Sequence, residues 1–312
     1  MFVVCGEALF DLFGTETPDG LGFDARIGGS PFNVAVALAR LGQQSALFTG
    51  VSTDPLGERL AAALEAEGVR TDLLRRRDRP TTLSVVNVAA NGHPHYTFYG
   101  SDAADRAVTQ ADLPALRPDA WGVHAGSYSL VVEPVGSALL ALFGREAGKR
   151  LLTLDPNVRL NVEPDTAVWR DRIARFVALA DLVKVSDEDL GLLYGGTDTA
   201  EIAAQWLDAG AAIVVVTRGP EGAEVFRRGG TRHAVGGIAV EVRDTVGAGD
   251  TFQAALIAGL AELGIRSRRG LEEIGEDSLQ GLLRFAVRAA AITCTRRGAD
   301  LPRRSELPAQ IG

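Results

Sequence analysis

Short apolar runs alternate with stretches of helical periodicity from one end of this chain to the other, and few folds accept that pattern. FVVCGEALFDLF opens as a buried strand that ends in polar residues. GGSPFNVAVALARLG at 28–42 follows as a glycine turn and a helix. Pro31 suits a first helical turn, and Gly42 is placed to stop the helix. ALFTGVS at 46–52 and PLGERLAAALEAEGV at 55–69 repeat the pair. WGVHAG, RLLTLDPN, DLVKVS and AAIVVVTRG continue as strand candidates, with helical stretches between several of them. The pattern predicts an α/β protein with a largely parallel sheet covered by helices.

One region breaks the rhythm. TTLSVVNVAANGHPHYTFYG at 81–100 holds two strand-like runs around Asn91-Gly92, a strong hairpin signal. A hairpin inserted into an α/β chain has to project from the main sheet, where it can cover the C-terminal strand ends that bind ligands. The arginine-rich LLRRRDRP at 73–80 reads as a solvated connection. No internal repeat or low-complexity linker divides the 312 residues.

Charge and cysteine content narrow the function. The net charge of −8 offers no basic field for nucleic acid or an anionic membrane. Cys5 and Cys294 stand alone, and no Cys/His cluster suggests a metal site. Cys5 reads as a buried strand residue. With no signal-peptide pattern and no apolar run near 18 residues, the expectation is a cytoplasmic, reduced protein. Only Lys149 and Lys184 are lysines, which reads as codon bias. Neither GxxxxGK[ST] nor a GxGxxG after the first strand is present, and GxSxG is missing too.

DTVGAGD at 244–250 carries the chemistry. Two glycines precede a long apolar helix, so backbone N–H groups and the positive end of a helix dipole face whatever lies over the helix start. A phosphoryl group on the amides of Gly247, Ala248 and Gly249 would meet preorganised donors. Asp250, one residue on, would then accept the proton of an incoming hydroxyl. The competing reading is that Asp250 caps a helix and nothing more.

DTVGAGDTF resembles the C-terminal signature of the PfkB family of carbohydrate kinases, and GGSPFNVAVALARLG resembles its N-terminal one. GEALFD at 6–11, DPNVR at 155–159, VKVSDEDL at 183–190, VVVTRGPEGA at 214–223 and RRGAD at 296–300 keep further landmarks in order. The resemblance implies a ribokinase-like three-layer α/β sandwich with a mostly parallel central sheet. It implies one domain over 1–312 with a small β-sheet lid from about 12–27 and 82–106.

The resemblance also implies roles. Asp250 would be the catalytic base, with Gly247, Ala248 and Gly249 as the anion hole. Asp11, Gly28, Gly29 and Asn33 would hold sugar hydroxyls, and Arg159 would reach the sugar or the phosphate. Thr217 and Gly219 would line the nucleotide phosphates together with Ser186, Gly247 and Gly249. ATP and Mg²⁺ are the implied cofactors, with Asp189 acting on the metal through water. Asp244 either helps to bind a monovalent cation such as K⁺ or shapes the loop. The implied partners are a small sugar and ATP, with a homodimer paired through the lids.

Two departures bear on the substrate. Many relatives carry Asn-x-x-Glu where this chain has Ser186 and Asp189, while Lys184-x-Ser186 resembles the branch of fructokinases and 2-keto-3-deoxygluconate kinases. Relatives often place Arg after the lid tyrosine, where this chain has Gly100. A missing guanidinium weakens the case for a carboxylate-bearing sugar, although Arg106 or Arg159 could serve. The expectation is γ-phosphoryl transfer to fructose. The alternatives are 2-keto-3-deoxygluconate, then ribose or a nucleoside, or a catalytically silent sugar-binding regulator.

Overall fold

The computed structural model describes residues 1–18, 20–88, 94–230 and 232–311. Its main sheet has eight strands. Running across it they are Arg232–Val235, Ala223–Arg227, Ile213–Thr217, Leu182–Ser186, Leu151–Asp155, Gly122–Gly126, Phe2–Cys5 and Ser45–Phe48. The last six pair in parallel, and the first two add an antiparallel edge. The apolar runs read as strands therefore lie side by side.

Those runs are continuous because both faces of the sheet are covered. Phe2 and Val4 point into one core, against helices Ser30–Arg40, Ala248–Glu262 and Glu276–Cys294. Val3 and Cys5 point into the other, against Val135–Glu146, Thr166–Val177 and Thr199–Ala209. The result is three layers. In the second core Phe143 meets Phe176 edge to face at 5.1 Å, a geometry worth about 0.5–1.5 kcal/mol beyond burial. Cys5 is fully buried, as its strand position predicts, and burial pushes its thiol up.

The hairpin arms do form a separate sheet. Leu83–Val88 pairs antiparallel with Pro94–Tyr99, while the Asn91-Gly92 turn itself lies outside the described residues. Leu9–Thr17 runs parallel to Leu83–Val88, and Gly20–Gly28 closes the four-stranded order. This sheet starts at Leu9 rather than near 12, and the chain leaves it after Tyr99 for a turn and a short 3₁₀ segment at Asp105–Ala107. Leu9–Thr17 follows the first main-sheet strand after only three residues, so the small sheet rises from the C-terminal ends of the large one.

The arginine-rich stretch is more than a solvated link. Arg75–Arg77 pairs in parallel with Gly50–Ser52. The Arg75 guanidinium lies over the Phe48 ring at 5.5 Å, and Arg76 and Arg77 pair with Glu58 and Asp112. Acidic partners distant in sequence supply an order that local composition does not reveal.

Candidate active site

Gly247 sets the geometry. It precedes the Ala248–Glu262 helix with φ 78° and ψ −1°, a left-handed conformation that glycine adopts at no steric cost. A β-carbon there would also come within 2.8 Å of the Ala299 β-carbon. The turn leaves the helix start without a side-chain cap. Among the described residues the N–H groups of Gly247 and Gly249 find no backbone partner, whereas that of Ala248 turns back to the Thr245 carbonyl at 3.2 Å. Two of the three amides expected to receive an anion are thus free to do so, and the third shapes the turn.

Asp250 sits in the first turn of this helix and is only 6% exposed. Its Oδ2 accepts a 2.8 Å hydrogen bond from Asn33 Nδ2, in the helix that follows Gly29. Burial pushes the Asp250 carboxyl up, and the Asn33 bond works against it. Asp155 adds to the rise, and Lys184 opposes it. A carboxyl tuned upward from the ordinary aspartate range is a stronger base when ionised.

Asp250 lies on the floor of a cleft of about 550 Å³. Asp11, Gly29, Asn33 and Arg159 line it, together with Asn157, Asn161 and Glu7. Tyr96 and Phe98 of the small sheet form part of its wall. Burial pushes Asp11 up, while Arg159 across the cleft pulls it down. Gly28 stands behind the lining, where a β-carbon would fall 2.3 Å from Asp11 Oδ2, so the glycine makes room for the carboxylate. The Arg159 guanidinium donates back to the Val158 carbonyl at 2.9 Å.

A second cleft, about 520 Å³, adjoins the first and shares Thr245 and Gly249 with it. Thr217 and Gly219 stand at its edge. Its walls are apolar: Ile238, Val240 and Val242 on one side, Phe252, Ala290, Ala291 and Cys294 on the other. Ile238 and Val242 are 43% and 60% exposed, which suits a surface that takes a flat apolar guest. A polar cleft and an apolar slot therefore meet over the helix start.

The remaining expected residues lie apart from both linings. Ser186 caps the Asp187–Tyr194 helix, accepting from the Asp189 N–H at 3.0 Å. Asp189 is buried and accepts from the Val158 N–H at 3.1 Å; burial, then Asp155, push it up to about 6. Asp244 accepts from the N–H groups of Val246 at 3.1 Å and Gly298 at 2.8 Å, so it shapes the loop that carries Gly247. No group of three or more His, Cys, Asp or Glu residues gathers as a metal site among the described residues. His124 is buried and held down to about 4, a neutral core histidine.

Sequence reasoning missed three features. Glu7 lines the polar cleft at 1% exposure, accepts from Ser129 Oγ at 2.5 Å and is pushed up to about 7 by burial. The apolar walls of the slot come from IAVEV and from one face of the Glu276–Cys294 helix, a pattern no different from ordinary core. Asp155 and Lys184 form a buried ion pair at 2.8 Å below the site. Lys184-x-Ser186 and DPNVR marked the two residues in the sequence, but nothing there paired them.

Comparison with known proteins identifies the family. The description "pfkB family carbohydrate kinase" matches residues 1–306. A fructokinase of Rhizobium leguminosarum bv. trifolii is 40% identical over 281 residues, 90% of this chain and 86% of that one. The crystal structure of a fructokinase with bound ATP from Xylella fastidiosa superposes with a TM-score of 0.90 at 28% identity, covering 98% of this chain and 96% of the other. A fructokinase double mutant from Vibrio cholerae, bound to fructose, ADP and potassium ion, gives a TM-score of 0.84 at 28% identity over 98% and 96% of the two chains. The family accounts for the ribokinase-like fold: the chain belongs to the pfkB family of carbohydrate kinases.

Proposed function

We propose that this carbohydrate kinase is a fructokinase that transfers the γ-phosphoryl group of ATP to a fructose hydroxyl. One observation carries the reading. Asp250 lies one residue beyond the free amides of the helix start, at the point where the polar cleft and the apolar slot meet. The sugar occupies the polar cleft, on Asp11, Asn33 and Arg159. The adenine enters the slot between Val242 and Ala291, with the phosphates passing Thr217 and Gly219. Asp250 takes the hydroxyl proton while the amides of Gly247 and Gly249 hold the transferring oxygens.

Mg²⁺ fits these residues as a companion of the nucleotide. With no cluster of three ligating side chains among the described residues, phosphate oxygens and water would hold it, and Asp189 would act through water. When bound it neutralises charge on the β- and γ-phosphates. A K⁺ site near Asp244 draws support from the potassium-bound relative, and the two backbone bonds of Asp244 favour the loop-shaping role.

Fructose draws support from the fructokinase relatives. One observation removes an objection to the keto-acid reading. A β-carbon at Gly100 would stand 2.7–2.8 Å from the Arg106 guanidinium, which lies over the Tyr128 ring at 5.0 Å. The space left by the missing residue-100 side chain is filled by another arginine, so Gly100 alone does not argue for a neutral sugar.

The small sheet serves as the lid of a single domain, since Tyr96 and Phe98 already wall the cleft, and its closure would exclude water from the activated phosphoryl group. Its far face exposes Leu21, Phe23 and Tyr99, at 61%, 48% and 62%. By register these lie opposite the face that carries Asp11 and Phe98. An apolar patch of this kind supports pairing of two copies lid to lid. The expected compartment is the cytoplasm.

An ADP-release assay with MgATP against fructose, 2-keto-3-deoxygluconate, ribose and adenosine tests the reading. Turnover should be highest on fructose, and turnover on the keto-acid instead would overturn the fructose assignment. Asp250→Ala should lower kcat by about 100-fold or more while ATP still binds; equal loss of both would point to a folding role. Asn33→Ala should raise the sugar KM about tenfold and lower kcat as well, because the amide also holds Asp250; unchanged constants would remove it from the site. Phe23→Asp should convert a dimer to monomer in sedimentation velocity, and an unaffected dimer would move the interface elsewhere.

A further inference from the structure

Lys184 is 3% exposed and Asp155 wholly buried, and the Lys184 Nζ donates to Asp155 Oδ2 at 2.8 Å. A buried ion pair away from substrate is a costly feature to keep, because both charges lose their hydration. The position of this pair accounts for it. An ideal β-carbon on Gly249 would lie 3.1 Å from Lys184 Nζ, so the ammonium touches the underside of the turn whose amides face the cleft. The other carboxylate oxygen, Asp155 Oδ1, is buried without a hydrogen-bond partner among the described residues. Asp155 is therefore tied mainly to Lys184, and Lys184 is fixed directly under the helix start.

We propose that Lys184, anchored by Asp155, is a positioning residue for phosphoryl transfer that places a fixed positive charge beneath the Gly247–Asp250 turn and keeps the Asp250 carboxylate ionised. The inference rests on the reading of Asp250 as the base. Ser30 and Asn33 favour the ionised form of Asp250, whereas burial and the neighbouring carboxylates work against it. Asp11 faces it from the small sheet, Asp155 from the main sheet, and Glu7 lines the same cleft. Arg159 lines the cleft and acts on Asp11 and Asp189. His124, on the neighbouring strand, is buried in its neutral form and adds no charge. Asn33 contributes a neutral donor. Lys184 places a cation against the turn itself.

The signs are opposite for the two partners, and that separates this role from support of the fold. Loss of the Lys184 charge should raise the Asp250 pKa, so the acid limb of kcat/KM should move to higher pH. Loss of the Asp155 charge should lower it, and the limb should move to lower pH. Each shift should be about one pH unit.

The test is the pH profile of kcat/KM for the full-length enzyme and for Lys184→Gln, Asp155→Asn, the double variant and Lys184→Arg, with Asp250→Ala as control. Shifts in opposite directions, a double variant close to the parent and an unmoved limb in Lys184→Arg would support the proposal. Limbs that stay in place, or move together, while Asp250→Ala is inactive would overturn it and leave the base assignment standing. Turnover by Asp250→Ala would remove the base assignment and this inference with it. Where Lys184→Gln does not fold, Asp155→Asn decides alone: a limb moved to lower pH supports the proposal, and an unmoved limb overturns it.

Discussion

A carboxylate held at the positive end of a helix is the constraint around which this site is built. The left-handed turn at Gly247 exposes amide donors at the helix start, and the next turn of the same backbone delivers Asp250. On the proposed reading an anion and a base would be brought together without either blocking the other: the phosphoryl group would meet the backbone, and the hydroxyl the side chain. Asn33 keeps the carboxylate aimed, from a helix 217 residues earlier in the chain. The hydrogen bond also ties the two signature segments to each other.

The three-layer architecture follows from the same requirement. Six parallel strands bring their C-terminal ends to one edge, and loops from Glu7, Asn157 and Thr217 converge there. The small sheet leaves the main one at that edge, and its inner face carries Asp11 and Phe98 over the cleft. Beneath, the pair of Asp155 and Lys184 extends the charge arrangement into the core. Polar groups at this depth are stable only when they are matched, so the site and its support are specified together.

Local chemistry was legible in the sequence. Gly247 announces the turn before a helix start, and the apolar runs read as parallel strands because burial on both faces removes alternation. The hairpin arms at 83–88 and 94–99 were marked by β-branched and aromatic residues. What sequence could not display was convergence. Ile238, Ala291 and Cys294 look like core or loop until a loop and a helix bring them to one slot. Glu7 reads as a strand-end polar residue until Ser129 and the cleft surround it. Gly100 reads as a lost arginine, yet Arg106 occupies its space from six residues away. In each case the decisive partner is distant or on another face.

The most direct measurement is a crystal structure of the enzyme with fructose and a non-hydrolysable ATP analogue. The account predicts adenine between Val242 and Ala291 and the terminal phosphate over the amides of Gly247 and Gly249. One fructose hydroxyl should lie about 2.6–3.2 Å from the Asp250 carboxylate, in line with that phosphate. A sugar whose hydroxyls all avoid Asp250, or a nucleotide with its phosphates away from the helix start, would contradict it.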